Sequence, residues 1–121
     1  MTEVTEYVAS LPDPERTVVA GLLDRVRALV PDAEQGTSYG MAAYRHRGRP
    51  LVAVVVGPRG CTAYPFSSDV TAAVLATLDG FDATKGGIRF TVDRPLPGEA
   101  FDALVTGRRA EIDAALDPRR G

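Results

Sequence analysis

The chain contains no tryptophan, one cysteine (Cys61), one histidine (His46) and one lysine (Lys85) in 121 residues. One cysteine excludes an intramolecular disulfide, and a single Cys with a single His cannot assemble a His/Cys metal set within one chain. Cys61 lies in an apolar, strand-like run and reads as a small core residue rather than a nucleophile. His46 sits beside an expected turn, which leaves no credible Ser-His-Asp arrangement. No apolar stretch approaches the roughly 20 residues of a membrane span. The first residues, Met-Thr-Glu-Val-Thr-Glu, lack the basic start and apolar run of a signal peptide, so a cytoplasmic location without membrane contact is expected. Repeats, low-complexity segments and linkers are also missing, so residues 1–121 read as one domain.

A large excess of either charge is missing too. Fourteen basic residues stand against 16 acidic ones for a net charge of -2. A protein that coats nucleic acid would need a net basic footprint, so nucleic acid is not the expected partner. The balance also falls short of the acidity of a protein that sequesters many cations. The one basic run, Arg45-His46-Arg47-Gly48-Arg49, has Tyr44 as its sole aromatic neighbour and reads as a solvated hairpin tip. Apolar residues at 45% and charged ones at 25% are those of an ordinary globular domain.

What is present is a clear change of period. Val4, Tyr7, Val8 and Leu11 recur at helical spacing up to Pro12, and Asp13-Pro14 opens a second helix that buries Val18, Val19, Leu22, Leu23, Val26, Leu29 and Val30. Ser38 to Arg45 then reads as a strand, Arg47 to Pro50 as a turn and Leu51 to Val56 as a central strand. A turn at Gly57-Pro58-Arg59-Gly60 leads into a strand from Cys61 to Phe66. Ser67 or Ser68 caps a helix that Gly80 ends. Gly87 to Val92 forms another strand, Pro97 starts the last helix, and the tail from 117 to 121 is expected to fray. The expected fold is α+β, with a mostly antiparallel sheet of four or five strands and helices mainly on one face.

Alternation on the Gly87–Val92 strand sets Ile88, Phe90 and Val92 on one side and Arg89 on the other. Lys85 precedes it at a flexible Gly-Gly, where backbone amides can converge on an anion. An open sheet face lined by Tyr39, Tyr44 and Tyr64, with Lys85 and Arg89 supplying charge, would suit a small ligand with an anionic group and a flat or apolar body. The plain alternative is a structural one, in which the tyrosines only cover the sheet. Glu3, Glu6, Asp13 and Glu15 offer oxygen atoms of the kind hard cations and iron accept. Scattered among arginines, they read first as helix-surface acids. No catalytic residue is assigned and no cofactor is expected from the motifs, so the chain reads as a non-enzymatic binding protein.

Several short motifs recur in a familiar order: Val4-Thr5-Glu6-Tyr7-Val8-Ala9-Ser10-Leu11-Pro12, Ser38-Tyr39-Gly40-Met41 up to Tyr44, Gly48-Arg49-Pro50-Leu51, Tyr64-Pro65-Phe66, Lys85-Gly86-Gly87-Ile88-Arg89-Phe90 and Leu96-Pro97. Together they resemble the YdhG-like family, a domain of unknown function, over about residues 4 to 113. The resemblance implies an α+β fold with an antiparallel sheet. One branch of that family is described as a frataxin-like iron chaperone for iron–sulfur or haem assembly, so the resemblance also implies iron as an alternative ligand. Ala42 stands where the family pattern usually has proline. A third expectation is an interaction module that forms a homodimer through the open sheet face.

Overall fold

The computed structural model describes residues 2–84 and 86–117. Met1, Lys85 and residues 118–121 lie outside the described residues, and with them the expectation for Lys85 and most of that for the tail. In chain order the elements are α1 (Glu3–Ser10), α2 (Glu15–Leu29), β1 (Glu34–Ser38), β2 (Met41–His46), β3 (Arg49–Gly57), β4 (Gly60–Tyr64), α3 (Ser68–Leu75), β5 (Asp82–Thr84), β6 (Gly87–Phe90) and α4 (Gly98–Leu116). The strands form one sheet in the order β1-β2-β3-β4-β6-β5. Every neighbouring pair is antiparallel.

The α+β class and the antiparallel sheet are as expected, but the sheet has six strands rather than four or five. Both additions are short edge strands without an apolar alternation: Glu-Gln-Gly-Thr-Ser for β1 and Asp-Ala-Thr for β5. The run from Ser38 to Arg45 is not one strand. Tyr39 and Gly40 adopt φ of 52° and 76°, a two-residue turn of the primed kind that suits the twist of a hairpin. It folds β1 back on β2.

Register explains the covered face. Val54 pairs with Ala63 and Val56 with Cys61, while Cys61 pairs with Phe90 and Ala63 with Ile88. Residues directly opposite share a face, so these six point together. They join Val19, Leu22, Leu23 and Val26 of α2 and Phe101, Leu104, Val105 and Ile112 of α4 in one core. Those helix residues recur at three- and four-residue intervals, the stripe that a helix lays on a sheet.

Local chemistry sets the helix starts. Asp13 accepts hydrogen bonds from the Thr17 amide (3.2 Å) and hydroxyl (2.6 Å), although α2 itself begins at Glu15. Ser67, extended at φ -154°, accepts from the Val70 amide and caps α3. That helix stops at Leu75, short of Gly80.

The β2–β3 hairpin corrects the expectation of a solvated basic tip. His46 is 7% exposed, and its Nε2 lies 2.8 Å from Asp113 Oδ1 on α4. Arg47 donates to Asp113 (3.1 Å) and to both carboxylate oxygens of Asp117 (2.7 and 3.1 Å). The tip is docked on the last turn of α4. Complementary charges separated by 66 or more residues produce that docking, and no local pattern announces it.

Candidate functional site

Opposite the helices, the sheet carries Ala53, Val55, Thr62, Tyr64, Asp82 and Arg89. Register brings them together: Ala53 faces Tyr64, Val55 faces Thr62, Thr62 faces Arg89, and Arg89 faces Asp82. Tyr64 and Arg89 therefore occupy the open face as expected, on adjacent strands and one diagonal step apart. Both border a groove of about 240 Å³ that also includes Val55, Arg59 and Thr62. Tyr64 borders a second groove, of about 350 Å³, with Tyr39, Met41, Phe66, Ser67, Ser68 and Gly86. Arg59 and Arg89 also border a third groove, of about 220 Å³, with Phe81, Asp82, Thr91 and Arg94. Shared residues thus link three shallow grooves into one surface.

Tyr44 does not belong to this surface. It pairs with Val52, on the helix side, and is only 3% exposed. Arg27 Nε on α2 donates to its hydroxyl oxygen at 3.2 Å. The sequence parity failed here because Tyr39 and Gly40 are turn residues, so counting from Tyr39 along a supposed strand gives no face for Tyr44. A separate groove of about 680 Å³ lies beside it, bordered by Arg27, Gln35, Thr37 and Arg45.

The Gly86-Gly87 pair has a packing cause. Gly86 takes φ +87°, in the left-handed region, and its carbonyl accepts from the Thr71 hydroxyl of α3 at 2.9 Å. Gly87 is a close approach instead: a Cβ there would stand 2.7 Å from the Ala63 carbonyl oxygen and 2.8 Å from Tyr64 Cδ1. The Tyr64 ring therefore leans over bare backbone at the start of β6.

Two further features were not read from the sequence: Phe66 as the partner of the expected Tyr39, and Arg59. Tyr39, at 83% exposure, stacks on Phe66 with ring centroids 5.6 Å apart and planes inclined by 22°. Both hold left-handed backbone, at φ 52° and 56°, which aromatic residues seldom adopt. Arg59, in the β3–β4 turn, is brought near Arg89 by the pairing of β4 with β6. Only the long-range register of β4 against β6 would have signalled it.

The side chains of Arg59 and Arg89 form no hydrogen bond or ion pair among the described residues. Arg94 beside them is already committed. Its guanidinium lies 4.7 Å from the Phe81 ring centroid and donates to the carbonyls of Gly80 (3.1 Å) and Asp79 (2.7 Å).

The acids named as metal candidates are not gathered. Asp13 is engaged by Thr17 and by Arg16 at 2.9 Å, and these contacts, the Thr17 hydroxyl first, hold its carboxyl below the usual range. Glu6 accepts from the Thr2 hydroxyl. Among the described residues, no group of three His, Cys, Asp or Glu side chains is placed to hold a metal ion. Burial pushes the Cys61 thiol up, the reverse of what a thiolate nucleophile needs. No helix among the described residues is long and apolar enough to cross a membrane.

No family model and no curated protein matches the chain. Among solved structures, the crystal structure of YdhG, a DUF1801-family protein from Bacillus subtilis, is similar at a TM-score of 0.77 with 18% sequence identity, over 95% of this chain and 94% of that one. At that identity the likeness speaks for the fold. It supports the YdhG-like resemblance carried by the motifs: the chain has the α+β fold of a DUF1801-family protein.

Proposed function

We propose that the chain is a non-enzymatic binding protein whose open sheet face holds a small ligand with an anionic group. The observation that carries this is the pair Arg59 and Arg89, two guanidinium groups that border one groove and make no ion pair or side-chain hydrogen bond among the described residues, although Asp82 faces Arg89 across the strands. A guanidinium presents a planar fork of donors that matches carboxylate and phosphate oxygens. Tyr64 supplies the apolar wall of the same groove.

A thermal-shift panel with phosphate, sulfate and small carboxylates tests this. An anion present at about 100 times its dissociation constant adds roughly 2.7 kcal/mol to stability, readily visible in a domain of this size. The shift is expected to disappear in Arg89→Ala. If no anion raises the melting temperature at millimolar concentration, the proposal fails.

A further inference from the structure

We infer that the ligand of this face is a nucleoside phosphate, its base on the Tyr39–Phe66 platform and its phosphate between Arg59 and Arg89. The inference rests on the anion-binding role proposed above and names the ligand class. Its second, independent support lies at the other end of the surface.

One face of the Tyr39 ring is taken by Phe66, and the residue is nevertheless 83% exposed, which leaves the opposite face bare to water. An exposed aromatic plane already backed by a second ring is the platform on which planar bases stack. Its backbone points the same way. Tyr39 and Phe66 both sit in the left-handed region, a conformation that costs free energy for aromatic residues and persists where the surroundings over-determine it, commonly at ligand sites. Neither ring is needed there to fill the core: the buried cluster contains neither.

Geometry links the two ends. Tyr64 borders both grooves. It stands one diagonal cross-strand step from Arg89, roughly 7–8 Å between backbones. Tyr64 therefore lies between the platform and the arginines, where the ribose would cross. Charge selects phosphate over a simple carboxylate, since two unpaired guanidiniums complement a dianion better than a monoanion. The positive charge is local, because the chain as a whole is negative at -2. Asp82, opposite Arg89 in the register, sets a like charge that the phosphate must stand clear of.

Calorimetric titration of the intact chain with the four common nucleoside 5′-monophosphates, ribose 5-phosphate and the parent nucleosides tests the inference. One monophosphate at least is expected to bind about tenfold tighter than ribose 5-phosphate, the order of effect that base stacking on an aromatic ring supplies. Tyr39→Asn, chosen because asparagine accepts left-handed backbone, should reduce that monophosphate to the affinity of ribose 5-phosphate. Arg89→Ala should reduce it to the affinity of the nucleoside. Equal affinity for ribose 5-phosphate and every nucleotide overturns the base platform while leaving the anion proposal standing. If ribose 5-phosphate and all nucleotides fail to saturate at millimolar concentration, and sulfate and carboxylates fail as well, both fall. A single-stranded oligonucleotide that binds far more tightly than any monophosphate, with a steep loss of affinity on adding salt, overturns the small-ligand form of the inference.

Discussion

The two faces of the sheet are made from the same strands and differ in nearly everything else. On the covered face Val54, Ala63, Cys61, Ile88 and Phe90 lie in register beneath three helices, with no polar side chain among them. On the open face the alternate residues of the same strands are Val55, Thr62, Tyr64 and Arg89, bordering shallow grooves. A sheet one helix layer thick has to be amphipathic, so a polar open face alone would mean nothing. The informative difference lies in how charge is handled. Around the helices guanidinium groups are matched: Arg25 makes a two-point contact with Asp102 (2.7 and 2.8 Å), Arg47 bridges Asp113 and Asp117, and Arg109 donates to the Leu29 carbonyl at 3.1 Å. On the open face Arg59 and Arg89 are left unmatched.

The contrast should break first in stability. Phe101 is 0% exposed at the centre of the covered side, and Phe101→Ala should cost about 3–5 kcal/mol in urea unfolding. Val55→Ala, half-buried on the open face, should cost about 1 kcal/mol, within the lower range for trimming a partly covered β-branched side chain. Equal costs would mean that the open face is packed in solution against something else.

A sharper comparison is available inside the Gly-Gly pair. Gly87→Ala drives a methyl group against the Ala63 carbonyl and the Tyr64 ring, and overpacking of this kind costs about 1–3 kcal/mol. Gly86→Ala meets open space and is penalised for its φ of +87° alone, roughly 1–2 kcal/mol. The two variants should differ in kind as well as size. Only Gly87→Ala should displace Tyr64, which tyrosine ring shifts in proton NMR would report.

How much of this was legible in the sequence depends on whether the determining interaction is local. The core stripes of α2 and α4, the Ser67 cap and the inward Ile88 and Phe90 all follow from period and capping chemistry over a few residues. The edge strands β1 and β5 do not, because polar segments such as Glu34–Ser38 become strands by pairing with a neighbour. The same holds for the site. The faces of Tyr64 and Arg89 follow from alternation within intact strands. Tyr44 was misplaced because a left-handed Tyr39 converts the middle of an apparent strand into a turn. Arg59 is invisible until the register of β4 with β6 is known, and Phe66 until the β1–β2 turn is seen to bring Tyr39 against it. Conversely, a motif that stood out in the sequence, Gly86-Gly87, is largely explained by backbone packing.

The docking of the hairpin gives a pH prediction smaller than the core effects. Asp113 is held below the usual carboxylate range, first by its contact with His46 and then by Arg47. A carboxyl depressed in the native state binds protons less readily there than in the unfolded chain. Its contribution is therefore complete above the unfolded value of about 4 and is lost as pH falls through the depressed native value. Melting temperature followed downward from pH 5 should fall less steeply in Asp113→Asn than in the parent chain. The difference should be modest, because the carboxylate is 38% exposed and screened by water. Identical slopes would show that the contact with α4 does not contribute to acid unfolding.

The smallest expected effect on stability sharpens the comparison most. The Arg89 side chain is exposed and makes no hydrogen bond or ion pair among the described residues, so Arg89→Ala should change unfolding free energy by less than about 0.5 kcal/mol. Arg25→Ala on the helix side removes the two-point contact with Asp102 and should destabilise by more. If Arg89→Ala instead destabilises as much as Arg25→Ala, then Arg89 supports the fold and the open face loses its claim to a ligand. If it is neutral or stabilising, an arginine at the centre of a strand register is being kept for something other than stability. Only binding then distinguishes the two faces, and the titrations with phosphate-bearing ligands become the measurement that decides between a site and a bare surface.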